Sequence, residues 1–255
     1  LINILGSEFN EGGSFDVKDM NLKGDLPGEI NPGHSFITFE LGRLYFENKN
    51  YYAASENFKK AQEVDHKGEF ILKAKVAYTE SLVASKRWLE AYYFLDNLLK
   101  DESLKIENPY FYYPDLLLSM GRVKKELTLF NDSIISYKKV FQYAPVELLR
   151  GEELDLSDID ALKKLNTDYR DTIRPLALAT FELANVYQSQ YEFAKGRYYF
   201  SQAEKLFRML KRQEDKKLRS LNDEDFNDYR QQMVLDSKWG QLKTDVLELM
   251  LNTFS

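Results

Sequence analysis

The sequence predicts an all-α fold built from repeated helix–turn–helix units. Three observations carry this. The heptapeptide FELGRLY at 39–45 returns as FELANVY at 181–187, 142 residues further on. Small residues recur at one place in a helical pattern, at positions 54, 91, 133 and 196. Six of the 12 glycines (6, 12, 13, 24, 28, 33) and two of the 6 prolines (27, 32) fall in the first 33 residues, which leaves the rest of the chain helix-permissive.

Residues 1–34 carry GG and PGEINPG turn signals and no sustained period, so they read as an irregular arm. The arm is either a free tail or a segment, through LINIL or SFDVKDMNL, docked on the repeats. The first unit spans about 35–67. Leu41, Gly42 and Tyr45 share one helical face, Ala54, Phe58 and Ala61 another, and ENKNY between them suits a turn. A glycine inside a helix costs about 1 kcal/mol relative to alanine. Gly42 is expected where the facing helix approaches closely, opposite the small Ala54.

The template recurs. In 73–104 Thr79, Ala91, Leu95 and Leu98 fill the equivalent places. In 115–145 Gly121, Ser133, Tyr137 and Val140 do so, with Pro145 as terminator. In 177–207 Ala184, Gly196, Phe200 and Ala203 do so. A single helix pair is marginal in isolation, whereas stacked pairs share a continuous core. The extra residues before the fourth unit hold Ser157 and Asp160 ahead of ALKKLNTDY, which predicts an inserted helix over about 157–171. The second helix of the fourth unit is expected to run on through AEKLFRMLKRQEDKKLRS. The segment 223–255 is expected to be a cap of one or two helices burying Phe226, Tyr229, Met233, Leu242, Val246 and Leu249, with a kink at Trp239-Gly240.

The motif Leu41-Gly42-x2-Tyr45 followed by Ala54-x3-Phe58 resembles the tetratricopeptide repeat, whose pattern is W-x2-L-G-x2-Y, then A-x3-F, then P over about 34 residues. Thr38 replaces the tryptophan and His66 the proline. The resemblance covers roughly 35–207. It implies a right-handed α-solenoid of about four units whose first helices line a concave groove. It would place Phe36, Phe39, Arg43 and Phe46 there from the first unit, then Val76 and Glu80, Leu118 and Arg122, and Phe181 and Asn185. Family members that clamp a C-terminal carboxylate use Lys and Asn at set groove positions. Here those positions hold Phe39 and Arg43, then Asp115 and Ser119, which argues against that clamp. The groove could instead be filled by the arm, the inserted helix or the C-terminal helix.

Composition excludes several function classes. With 35 Lys and Arg against 41 Asp and Glu, the net charge of −6 argues against a general nucleic-acid binder. No cysteine is present, which removes disulfides, thiolate zinc sites and cysteine nucleophiles. No apolar run is long enough to span a membrane. The chain begins at Leu1, so an upstream piece that could carry a signal or anchor is expected. His34 and His66 are in linker-like positions, and no metalloprotease, phosphate-loop or nucleophile-elbow motif occurs. NDEDFND at 222–228 starts like a calcium loop, but Asp228 replaces the required glycine and Val234 the closing glutamate, so a solvated helix start is the better reading. The run Lys205, Arg208, Lys211, Arg212, Lys216, Lys217 and Arg219 is interleaved with acids and reads as a solvated face.

The aromatic content carries more. With 17 Tyr and 17 Phe, the apolar row Phe39, Val76, Leu118 and Phe181 would offer a contact surface along the groove. NPYFYYP at 108–114 adds Tyr110, Phe111, Tyr112 and Tyr113 as either a packed loop or an exposed contact loop. The expected function is non-catalytic: a scaffold or adaptor that takes a peptide or helix of one or more partner proteins in the groove, with no metal or cofactor. The alternative is a structural subunit of a larger bacterial cell-envelope or motility assembly, using convex faces and loops within a hetero-assembly. Asn, Lys, Phe and Tyr usage suggests a bacterial source, which leaves periplasm, cell envelope and cytoplasm open.

Overall fold

A computed structural model describes residues 32–64, 69–101, 113–151, 153–167, 172–210 and 223–254. The fold is all-helical, with ten α-helices among the described residues: α1 Pro32–Glu47, α2 Tyr51–Val64, α3 Glu69–Ala84, α4 Trp88–Lys100, α5 Tyr113–Glu126, α6 Phe130–Val140, α7 Ile159–Thr167, α8 Ile173–Ser189, α9 Phe193–Met209 and α10 Asp223–Phe254. Two compact units divide it, residues 1–86 and 87–255.

One turn chemistry repeats along the chain. Lys49, Lys86, Thr128 and Tyr191 each sit at positive φ, between 60° and 64°, directly after a helix. The left-handed residue lets the chain reverse while its amides still satisfy the last carbonyls of the helix. Asn50 N donates to Tyr45 O (2.8 Å), Leu129 N to Lys124 O (2.8 Å) and Glu192 N to Tyr187 O (2.9 Å). The residue that follows opens the next helix: Arg87, Leu129 and Glu192 share φ near −82° and ψ near 63°. Asn50 holds the same place before α2 and adds a side-chain cap, its Oδ1 accepting from Ala53 N at 3.2 Å.

In the first unit α1, α2 and α3 pack on one another around Ala54, Phe58, Ala61, Ala74 and Leu82. Ser35 Oγ donates to Ala61 O (3.0 Å) and Gln62 Nε2 to Ala74 O (3.4 Å), tying the helices at their polar edges. The side chain nearest Gly42 is Phe58. A Cβ at Gly42 would lie 2.7 Å from the Phe58 ring. Gly121 does the same for Tyr137, at 2.4 Å. In both pairs the aromatic lies sixteen residues on. The glycine is thus a socket for a ring. Gly196 plays the role the sequence suggested for Gly42, with the backbone of Ala184 and Gln188 at 3.6 Å from its added Cβ.

The second unit is built on α8, IRPLALATFELANVYQS, which is apolar on nearly every side and correspondingly buried. It contacts α5, α6 and α9, and α9 carries α10. Tyr187 stacks on Tyr199 (5.5 Å, 11°), and Phe141 also stacks on Tyr199 (6.3 Å, 23°). The segment between α6 and α8 was expected to add one helix. It also forms a two-residue antiparallel ladder, β1 Leu149–Arg150 with β2 Glu153–Leu154, turned by Gly151 at φ 66°. Leu148, Leu154, Leu156, Ala161 and Leu165 from this insertion are buried in the main core.

Three expectations need correction. Helix α1 starts at Pro32, inside the arm, because proline is well suited to a first helical turn; His34 therefore lies in a helix. Helix α10 is continuous across Trp239-Gly240. Its buried face is Ser237, Gly240 and Thr244, whereas Leu242, Val246 and Leu249 are exposed. Gly240 is the reason, because a Cβ there would lie 2.5 Å from the Phe200 ring, so this face of α10 sits closest to α9. Residues 1–31, 65–68 and 211–222 lie outside the described residues, so most of the arm, His66 and much of the basic run are not placed.

Candidate functional site

The first-helix residues of each unit are where a groove was expected. In residues 32–86, Phe36 is 37% exposed. Phe39 is half-buried with its ring 5.5 Å from Phe58, and Phe46 lies edge-on to Tyr51 at 5.1 Å. Arg43 is exposed but spans its own helix, donating to both Glu40 oxygens (3.2 and 3.0 Å) and lying 3.5 Å from Glu47. On α3, Glu80 is half-buried and Val76 is only 6% exposed.

In residues 87–255 the α5–α8 face is closed by ion pairs. Glu182 accepts from Arg122 Nε (3.1 Å) and Lys125 Nζ (2.7 Å), and Asp115 accepts from Arg174 (3.3 Å). Leu118 is 3% exposed. Phe181 is half-buried, edge-on to Phe200 (5.6 Å) and Phe207 (6.4 Å), and Asn185 Nδ2 donates back to Phe181 O (3.1 Å). The expected apolar row is therefore corrected. Val76 and Leu118 are core residues, because α3 touches both α1 and α2, and α5 touches α4, α6 and α8. Tyr110, Phe111 and Tyr112 lie outside the described residues. Tyr113 is buried, its ring 6.1 Å from Tyr143 and its hydroxyl donating to Leu99 O at 3.3 Å, so it is not an exposed contact.

Exposed apolar side chains lie elsewhere. Tyr93 on α4, Ile135 on α6 and Tyr198 on α9 are 65%, 52% and 39% exposed. Each stands two residues before a large buried residue, Leu95, Tyr137 and Phe200. Two residues along a helix is about 200°, so a residue there faces away from the core. That spacing is readable in the sequence, since each exposed residue is offset by two from the apolar stripe of its helix. On α10, Leu235, Trp239, Leu242, Val246 and Leu249 are also exposed.

Electrostatics near these faces follow from burial and pairing. Burial pushes the Tyr137 phenol far above its ordinary range, with the Glu182 carboxylate adding to the effect. Burial lowers Lys124, which donates to Ser136 Oγ at 3.1 Å. Burial would raise Glu204, but hydrogen bonds from Arg208 and Gln241 outweigh it and hold the carboxyl below its usual value. An open cavity of about 530 Å³ is lined by Arg150, Glu153, Asp155, Lys195, Tyr198 and Tyr199. Its charged groups are already engaged: Arg150 with Asp155, Glu153 with Lys138, Lys195 with Glu192. Tyr198 donates to Leu154 O at 2.7 Å. Among the described residues, no group of three or more His, Cys, Asp or Glu side chains could hold a metal ion, and no helix is long and apolar enough to cross a membrane.

No protein-family model matches the chain, and no curated protein sequence matches it.

Proposed function

We propose that the chain is a non-catalytic interaction scaffold of the tetratricopeptide-like solenoid type, and that it meets a partner protein through the outward faces of its second helices. The repeat reading is supported by the four left-handed turns and by the Gly42–Phe58 and Gly121–Tyr137 sockets. The observation that carries the choice of surface is a contrast within residues 87–255. Of the first-helix residues there, Leu118 is buried, Arg122 is ion-paired, and Phe181 and Asn185 are partly buried, whereas Tyr93, Ile135 and Tyr198 on second helices stay exposed. Tyrosine is among the residues enriched at the centres of protein contacts, which supports a role for Tyr93 and Tyr198. This favours the assembly-subunit version over a groove that clamps a peptide. A second reading, an adaptor contact on α1, is supported by the exposed Phe36 beside the charged run Glu40, Arg43 and Glu47.

A pull-down from the native lysate separates them. The baits are the wild type, Tyr93→Glu/Ile135→Glu and Phe36→Glu/Arg43→Glu, each checked for wild-type helicity. A partner lost only with the second bait supports the outward-face reading. A partner lost only with the third moves the site to α1 and refutes it.

A further inference from the structure

The C-terminal helix presents two opposite seams, and among the described residues only one of them is packed against other helices. Its inner seam, Met233, Ser237, Gly240 and Thr244, lies on α8 and α9. Gln188 Nε2 donates to Thr244 Oγ1 (2.6 Å) and Gly240 O (3.3 Å), and Arg197 pairs with Asp245 and Glu248. The outer seam is Leu235, Trp239, Leu242, Val246 and Leu249, exposed by 58%, 65%, 52%, 47% and 68%. Its spacing alternates four and three residues, the repeat of a coiled-coil seam, and it points about 180° from the inner seam.

The charges beside this seam say what it fits. Asp236 and Lys243 flank one side, Lys238 and Asp245 the other. A parallel second copy would set Lys238 against Lys243. An antiparallel copy centred between Gly240 and Gln241 sets Lys238 against Asp245 and Asp236 against Lys243, each twice. The same register stacks Trp239 on Leu242 and Leu235 on Val246, each twice. Moving the centre half a heptad sets Asp245 against its own copy and Lys243 against its own copy. Flanking charges of this kind determine partner, direction and register in helix pairs. Lys238 lies 3.9 Å from Glu204 while 54% exposed, and among the described residues Lys243 makes no ion pair. Asp245 accepts from Arg197 at 3.2 Å while remaining 56% exposed, which leaves it open to a second cation.

We propose that two copies of this chain associate through α10, antiparallel, in that register. This contact is independent of the partner surface proposed above, since Tyr93 and Ile135 lie on other helices. The seam is only about two heptads long, so the dimer is expected to be concentration-dependent.

Sedimentation equilibrium on the full chain tests it, with Lys238→Glu/Lys243→Glu as one variant and Asp236→Lys/Asp245→Lys as another. Wild type should dimerise, and each variant alone should raise Kd by at least about tenfold. An equimolar mixture of the two variants should restore the dimer as a heterodimer. Because the chain has no cysteine, direction can be read by oxidation. Leu235→Cys mixed with Val246→Cys should give the mixed disulfide far faster than either variant alone. Wild type that stays monomeric with its seam covered by another segment of the chain overturns the proposal. So does a dimer that both charge variants retain, or cross-linking of each cysteine variant only with itself.

Discussion

Two helical glycines should respond to the same substitution with opposite signs. Gly121→Ala places a Cβ 2.4, 2.5 and 2.8 Å from Tyr137 ring atoms, well inside contact distance. Tyr137 is 0% exposed, so the ring has no solvent to move into. Overpacking of this kind costs about 1–3 kcal/mol, against about 1 kcal/mol gained from helix propensity. The net expectation is a loss of up to about 2 kcal/mol. Gly196→Ala meets nothing nearer than 3.6 Å, which is ordinary contact. It should keep most of the propensity gain and stabilise by about 0.5–1 kcal/mol. Urea unfolding followed by helical circular dichroism reads both as midpoint shifts at constant m. A double mutant sharpens the test: in a Tyr137→Leu background the cost of Gly121→Ala should shrink, because the ring that blocks the Cβ is gone. The socket argument fails if Gly121→Ala is as stable as wild type, or if the two single variants shift in the same direction.

Three further outcomes are expected. Thr128 is an exposed β-branched residue at φ 62°, so Thr128→Gly should stabilise by about 0.5–1 kcal/mol, after allowing for the entropy glycine adds to the unfolded chain; a thermal melt showing a lower midpoint would contradict this. Tyr137 titrates far above its ordinary value of 10.0 when folded, so its contribution is present below pH 10 and lost as the pH rises past it, when only the unfolded chain ionises; stability measured from about pH 8 upward should fall less steeply in Tyr137→Phe than in wild type. Glu182 has a side chain 14% exposed and holds both Arg122 and Lys125, so Glu182→Gln should cost about 1 kcal/mol, kept small because both cations retain some solvent; an unchanged urea midpoint would show that the pair of bridges contributes nothing.

The sequence by itself determined the helices and their pairing. Leu41, Gly42, Tyr45, Ala54 and Phe58 carry a helical period that needs no long-range knowledge to read, and FELGRLY and its near copy FELANVY both fall inside helices, α1 and α8. The positive φ at Lys49, Lys86, Thr128 and Tyr191 could not be read, because none is a glycine; only the reversal between packed helices holds those residues there. Tertiary structure also decided which apolar residues are core and which are surface. Val76 and Leu118 lie on helices with more than one neighbour and are buried, although the tetratricopeptide resemblance implied that they line one open groove. Leu242, Val246 and Leu249 fall on one helical stripe, yet they are exposed, because Gly240 gives the opposite side of α10 the closer approach to Phe200. A helical period says that a helix has a preferred side. Which of two sides is covered depends on the shape of the neighbour, and that is a property of the packed structure alone.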